Sequence, residues 1–216
     1  MESLLQGNES QSINIISNLL FSTISKQRIL LEIILPSLNI LNDMYNRGKI
    51  SETEKLLIST TILDLVLMTK FVSAIDIPKL NAYSVIVSGS EEATYQARIA
   101  SVMLHLMGWH TLYLPDVESK IDPFFDIDIH RLITKKLKNQ EGLSAVMIFS
   151  FNANTLKFLT NTMKALRDKI ENDIKIVIFT NKDLLQVSQD IEVDYNTADL
   201  TSLIDWAKEQ HRDFTS

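Results

Sequence analysis

The spacing of apolar residues changes character near Pro78. Before that point they recur at helical intervals. Ile13, Ile16, Leu19, Leu20 and Ile24 share one face of a helix expected over about residues 11–24. A second helical run extends from about 25 to 46, with Ser25 placed to cap its start and Arg47-Gly48 to stop it. Pro36 lies inside that run; it has no N–H and crowds the preceding turn, so a kink or a break is expected there. The third helix should begin at Ser51, because Ser51-Glu52-Thr53-Glu54 is a capping box, and it should run to about Ala74. With a short turn over residues 2–6, the segment 1–77 is expected to form a small four-helix bundle.

Beyond Pro78, short apolar runs alternate with helical spacing. Strands are expected at Tyr83-Ser84-Val85-Ile86-Val87, at 109–114, at 145–149 and at 174–179, with a weak fifth at Ile191-Glu192-Val193. Helices are expected over 91–107, stopped by Gly108, over 128–139, closed by Gly142, over 154–169, and over 198–211. Strands alternating with helices imply βαβ units and a parallel sheet, and right-handed crossovers leave few topologies. The fold class expected for 78–216 is therefore α/β, a flavodoxin-like five-stranded parallel sheet with helices on both faces. Ligands of that architecture bind beyond the carboxyl ends of the strands. The sequence shows no internal repeat and no low-complexity stretch.

Composition narrows the chemistry. The 216 residues include 21 basic and 27 acidic side chains, a formal charge of −6, which disfavours a direct electrostatic grip on nucleic acid. A hydrophobic share of 45% against 22% charged supports a real core and excludes wholesale disorder. With no cysteine there is no disulfide framework, zinc knuckle or thiol nucleophile. Five glycines leave little stock for a phosphate-cradling loop, and neither G-x-G-x-x-G nor G-x-x-x-x-G-K-[ST] occurs. No signal peptide opens the sequence, and the greasiest stretch, 56–72, is broken by Ser59, Asp64 and Lys70, so a cytoplasmic protein away from the membrane is expected.

Local motifs then carry a resemblance. Leu4-Leu5-Gln6-Gly7-Asn8, Ile34-Leu35-Pro36-Ser37-Leu38 and the turn Tyr45-Asn46-Arg47-Gly48-Lys49-Ile50-Ser51 precede a strand, a polar loop, a long helix and Gly108-Trp109. This order resembles the cobalamin-binding modules of methionine synthase, corrinoid methyltransfer proteins and light-sensing regulators. In that family a four-helix bundle precedes a flavodoxin-like domain and the corrinoid is held between them. The turn looks like the family's W-x-x-G-x-I-S, with Tyr45 at the tryptophan that covers the upper face of the cofactor in the sensors.

The resemblance also implies where ligand contacts should fall. The family's first loop carries D/E-x-H-x-x-G, whose His is the lower ligand of cobalt and whose acid fixes the ring. Here it reads Glu91-Glu92-Ala93-Thr94-Tyr95-Gln96: the acid is retained at Glu91, the His is Ala93 and the Gly is Gln96. An alanine cannot coordinate cobalt. The S-x-L or S-x-T after the third strand reads Ser150-Phe151-Asn152, and the Gly-Gly that leaves room for the nucleotide tail is Phe179-Thr180-Asn181. The Glu-His pair of some sensors falls at Lys55-Leu56. By that correspondence the candidate cofactor-binding positions are Tyr45, Ser90, Glu91, Ala93, Ser150, Asn152 and Thr180, with no metal ligand among them.

Each has a plainer role as well. Glu91 and Glu92 suit the positive end of a helix, Ser88-Gly89-Ser90 is a strand-to-helix turn as readily as an anion cradle, and Ser150 and Asn152 are ordinary turn formers. Tyr45, Trp109, Tyr113 and Phe151 serve a core as well as a flat-ring pocket. His105 reads as half-buried, and His130 and His211 as solvated helix positions. Lys135-Lys136 with Lys138 is a small basic spot.

The function expected is a non-enzymatic sensory or regulatory protein on a cobalamin-binding scaffold. Its ligand would be a corrinoid without a His beneath it, a haem, or none. No helix-turn-helix precedes the bundle, so action through a protein partner such as a transcription factor is expected, and homodimerisation stays open. The alternatives are a corrinoid carrier subunit of a methyltransferase and a ligand-free interaction module.

Overall fold

The computed structural model describes residues 2–22, 24–72, 77, 79–90, 93–118, 125–138, 140–168, 173–189 and 193–215. The chain divides into two compact units, Met1–Ile77 and Pro78–Ser216.

The first unit is helical. It contains α1 (Glu2–Leu5), α2 (Glu9–Leu20), α3 (Lys26–Arg28), a π-helical segment (Ile29–Ile34), α4 (Leu35–Asn46) and α5 (Glu52–Val72). α2 stops at Leu20, short of Ile24, because the Ser22 hydroxyl donates to Leu19 O and accepts from the Ile24 N–H. That local bonding diverts the backbone from the helical ladder. Ser25 caps the next run as expected, accepting from the Arg28 N–H. Pro36 does not break it. The turns ahead of the proline are π-helical, with the Leu35 N–H reaching back to Leu30 O, and this wider register accommodates the ring in a continuous helix. The capping box is formed: the Ser51 N–H and hydroxyl both donate to Glu54 Oε2, and Ser51 Oγ accepts from the Glu54 N–H. Leu38 and Leu41 of α4, Ile62 and Leu65 of α5, and Ile29, Leu30 and Ile34 of the π segment form the buried interior.

The second unit alternates β1 (Ala82–Ser88), α6 (Thr94–Leu106), β2 (His110–Leu114), α7 (Phe125–Leu137), β3 (Leu143–Phe149), α8 (Ala153–Arg167), β4 (Ile174–Phe179), α9 (Lys182–Gln189), β5 (Tyr195–Thr197) and α10 (Leu200–Thr215). The five strands are all parallel in the order β2-β1-β3-β4-β5, the flavodoxin-like order expected. Val85, Val146, Ile148, Ile176 and Ile178 point to one face, where they meet Ile133 of α7 and Leu159 and Met163 of α8. The opposite face is covered by α6 and α10. Being buried on both sides, β1, β3 and β4 carry the short apolar runs 85–87, 145–149 and 176–179, which is why their positions were plain in the sequence.

Two expectations are corrected. The fifth strand of the sheet lies at Tyr195–Thr197; of the expected 191–193, Val193 is not in a strand, and 191–192 lie outside the described residues. The register is fixed by Asp194, whose N–H donates to Ile176 O and whose Oδ2 accepts from the Ile176 N–H, and by Tyr195, which stacks on Trp206. α9, between β4 and β5, was not anticipated. His130 is half-buried rather than fully solvated: its Nε2 lies 2.8 Å from Thr162 O. The His211 side chain lies outside the described residues.

Candidate functional site at the carboxyl edge of the sheet

A parallel sheet of this order reverses direction between β1 and β3, and the loops leaving those strands diverge to leave a crevice at their carboxyl ends. The loops after β1, β3 and β4 bring Ser90, Ala93, Ser150, Asn152 and Thr180 to this edge. Glu91 and Glu92 lie outside the described residues. Tyr45 belongs to the helical unit, half-buried at the end of α4 with Lys55 Nζ 4.3 Å from its ring centre.

The polar side chains of the edge bond mainly to neighbouring loops. Ser90 Oγ accepts from the Phe151 N–H at 3.1 Å, and the Ser88 and Thr94 hydroxyls both donate to Ser90 O. The Thr180 hydroxyl, fully buried, donates to Ser150 O at 2.8 Å, while the Thr180 N–H donates to Thr197 O. Ser150 Oγ accepts from the Asn152 N–H, and Asn152 Oδ1 caps α8 by accepting from the Asn154 and Thr155 N–H groups. Gly89 is needed here for space. A Cβ on it would meet Leu159 Cδ1 at 2.8 Å and Ser150 Cβ and Thr155 Cγ2 at 3.1 Å.

Sequence reasoning passed over the loop after β2. Asp116 takes a φ of 45°, a left-handed conformation uncommon outside glycine, and this turns the chain back so that the Val117 N–H donates to Ser88 O. Glu118 then accepts from Asn152 Nδ2 at 2.6 Å and from the Thr155 hydroxyl at 3.1 Å. An acidic residue just beyond a strand of a parallel sheet was the available signal for it.

Above β4 the rings close together. Phe179 stacks on Phe149 at 4.9 Å between ring centres and meets Phe151 tilted at 6.1 Å. On the β2 side, the Tyr113 hydroxyl donates to Thr94 O, and the Arg98 guanidinium lies 4.3 Å from its ring centre. Burial raises the Tyr113 phenol above its ordinary range, against the pull of Arg98 and the hydrogen bond to Thr94.

These residues can be tested against an imidazole-ligated corrinoid. Ala93, which the resemblance sets against the family's histidine, is fully buried, and its methyl side chain offers no donor atom. Phe179, Thr180 and Asn181 close β4 in the stretch that the resemblance sets against the family's Gly-Gly. Gln96, at the position of the motif's glycine, is buried with its Oε1 unpartnered among the described residues. The described residues of this loop offer no imidazole, and among the described residues no cluster of His, Asp or Glu could hold a metal ion.

The sequence matches no protein-family model and no curated protein. Among solved structures, the monomethylamine corrinoid protein of Methanosarcina barkeri matches with a TM-score of 0.70 over 96% of this chain and 94% of its own, at 10% identity. A novel cobalamin-binding protein of Desulfitobacterium hafniense DCB-2 matches at 0.48 over 97% and 95%, with 12% identity. The methanol:cobalamin methyltransferase complex of Methanosarcina barkeri matches at 0.41 over 99% and 82%, also with 12% identity. Identities this low speak to fold. The chain has the fold of the Methanosarcina barkeri monomethylamine corrinoid protein, the helical bundle and flavodoxin-like sheet expected from its sequence.

Proposed function

We propose that this chain is a regulatory module built on the corrinoid-protein scaffold, acting through a protein partner rather than catalysing a reaction. Any corrinoid it takes is held without an imidazole from the first loop. The observation that carries this reading is the buried Ala93 beside loops whose polar groups bond to one another: Ser90 to Phe151, Thr180 to Ser150, Glu118 to Asn152. A carrier of methyl groups must cycle its cobalt, and control of the lower ligand is the means this loop would provide; an alanine supplies none.

The test is an absorbance spectrum of the desalted protein after incubation with hydroxocobalamin, adenosylcobalamin or haemin. The expected outcome is either no retained chromophore or a corrinoid spectrum without nitrogen ligation from the protein. A nitrogen-ligated corrinoid, or methyl transfer from the loaded protein to a thiol or folate acceptor, would overturn the proposal in favour of a carrier. The double variant Ala93→His/Gln96→Gly sharpens the result. It should raise corrinoid affinity or move the spectrum toward a nitrogen-ligated form if the first loop is correctly placed. A spectrum and affinity identical to those of the parent would refute that placement.

A further inference from the structure

The α/β unit carries an open groove of about 470 Å³ along α7, lined by Ile127, His130, Arg131, Thr134 and Lys135 of that helix and Leu166 of α8. Spacing in the sequence explains it. Positions separated by three and four residues share one helix face, so 127, 130, 131, 134 and 135 form a stripe, whereas Ile129, Ile133 and Leu137 lie on the buried side. The 2.8 Å contact between His130 Nε2 and Thr162 O ties the helix to α8.

Two properties set this groove apart. Ile127 is 51% exposed and is the one large hydrophobic side chain so exposed among the described residues of this unit. Arg131 and Lys135 form no ion pair among the described residues, and Asp128 on the same helix does not line the groove. In a chain of net charge −6, two cations without an ion-pair partner among the described residues thus rim an apolar strip whose exposed side chain is Ile127.

We propose that this groove docks an acidic amphipathic segment of a partner protein. An aliphatic or aromatic side chain of the segment covers Ile127 over the already buried Leu166, and its flanking carboxylates meet Arg131 and Lys135. Helical segments are commonly bound in this way, by an apolar anchor in a groove with charge complementarity selecting the partner. A simple anion would leave the apolar strip wet, and a neutral apolar segment would leave the cations unmatched. The inference rests on the reading that the chain acts through a partner, but its test involves no cofactor, so either can fail without the other.

The experiment is fluorescence anisotropy on the full chain with a labelled helical peptide bearing a leucine stripe flanked by glutamates, and with its twin bearing lysines. The glutamate peptide should bind roughly 10-fold more tightly than its twin, a difference that shrinks with added salt. Arg131→Glu/Lys135→Glu should reverse the preference, and Ile127→Asp should weaken the glutamate peptide about 10-fold, with thermal unfolding of both variants unchanged. Equal binding of the two peptides, no binding of either, or a preference indifferent to charge reversal would overturn the proposal. So would displacement of the glutamate peptide by phosphatidylserine vesicles but not by unlabelled peptide, or sedimentation showing a second copy of the chain in the groove.

Discussion

At the carboxyl edge of the sheet, polar side chains bond to the next loop, as the buried Thr180 does to Ser150 and the half-exposed Glu118 to Asn152. Along α7, a few turns of chain away, Arg131 and Lys135 stand at the rim of a groove with no ionic partner among the described residues. The first surface is where a flavodoxin-like sheet normally receives a ligand, yet here its hydrogen bonds hold the protein together. The second has no part in the sheet's usual chemistry, and its charges have no ion-pair partner among the described residues. Substitutions should therefore be read differently at the two places, as stability at the edge and as association along α7.

The sharpest test of that contrast is Gly89→Val. Its branched side chain would start from a Cβ already 2.8 Å from Leu159 Cδ1 and 3.1 Å from Ser150 Cβ. Forced overpacking of this kind costs about 1–3 kcal/mol, and the β-branch puts the change at the upper end. Thermal or urea unfolding measures it. Stability equal to the parent would mean that the loops after β1 and β3 are not held together, leaving room for a ligand between them.

Thr180→Val comes next. The shape is kept, but Ser150 O loses a donor in a place that water does not reach, a cost of about 1–2 kcal/mol. A smaller effect, about 1 kcal/mol, is expected for Glu118→Ala, since the half-exposed carboxylate holds Asn152 and Thr155 where solvent can partly replace it. If Glu118→Ala instead leaves unfolding untouched while creating binding of a corrinoid, the acid acts as an internal plug rather than as a staple.

What the sequence made legible follows from the range of each interaction. β1, β3 and β4 were readable because both faces of the sheet cover them, which produces short apolar runs, and β2 because it follows the stop at Gly108. The capping box at Ser51 was readable because its partners are three residues apart. β5 was not, since its register depends on Asp194 bonding to Ile176 and Tyr195 stacking on Trp206, contacts that alternation does not encode. The π segment ahead of Pro36 was missed for a related reason: the proline announces a fault in the ladder but not which way the helix resolves it. Of the candidate positions drawn from the resemblance, Ser90, Ala93, Ser150, Asn152 and Thr180 fall in the loops after β1, β3 and β4. The bonds joining them were hidden, because Ser90 meets Phe151 across 61 residues and Glu118 meets Asn152 across 34.

The smallest effect expected is also the one that isolates electrostatics at the edge from packing. Burial raises the Tyr113 phenol, whereas Arg98 over its ring and the bond to Thr94 O pull the other way. A group whose proton is held more tightly in the folded state contributes stability below its unfolded pKa and loses it as the pH rises through the folded value. Tyr113 should therefore ionise late in a tyrosinate absorbance titration, and the protein should lose a fraction of its stability on the alkaline side alone. Arg98→Met keeps a similar volume over the ring and removes the cation, so it should move the Tyr113 transition to still higher pH. A transition that moves to lower pH in this variant would mean that the guanidinium acts by packing, and that even the β2 side of this edge is governed by shape rather than by charge.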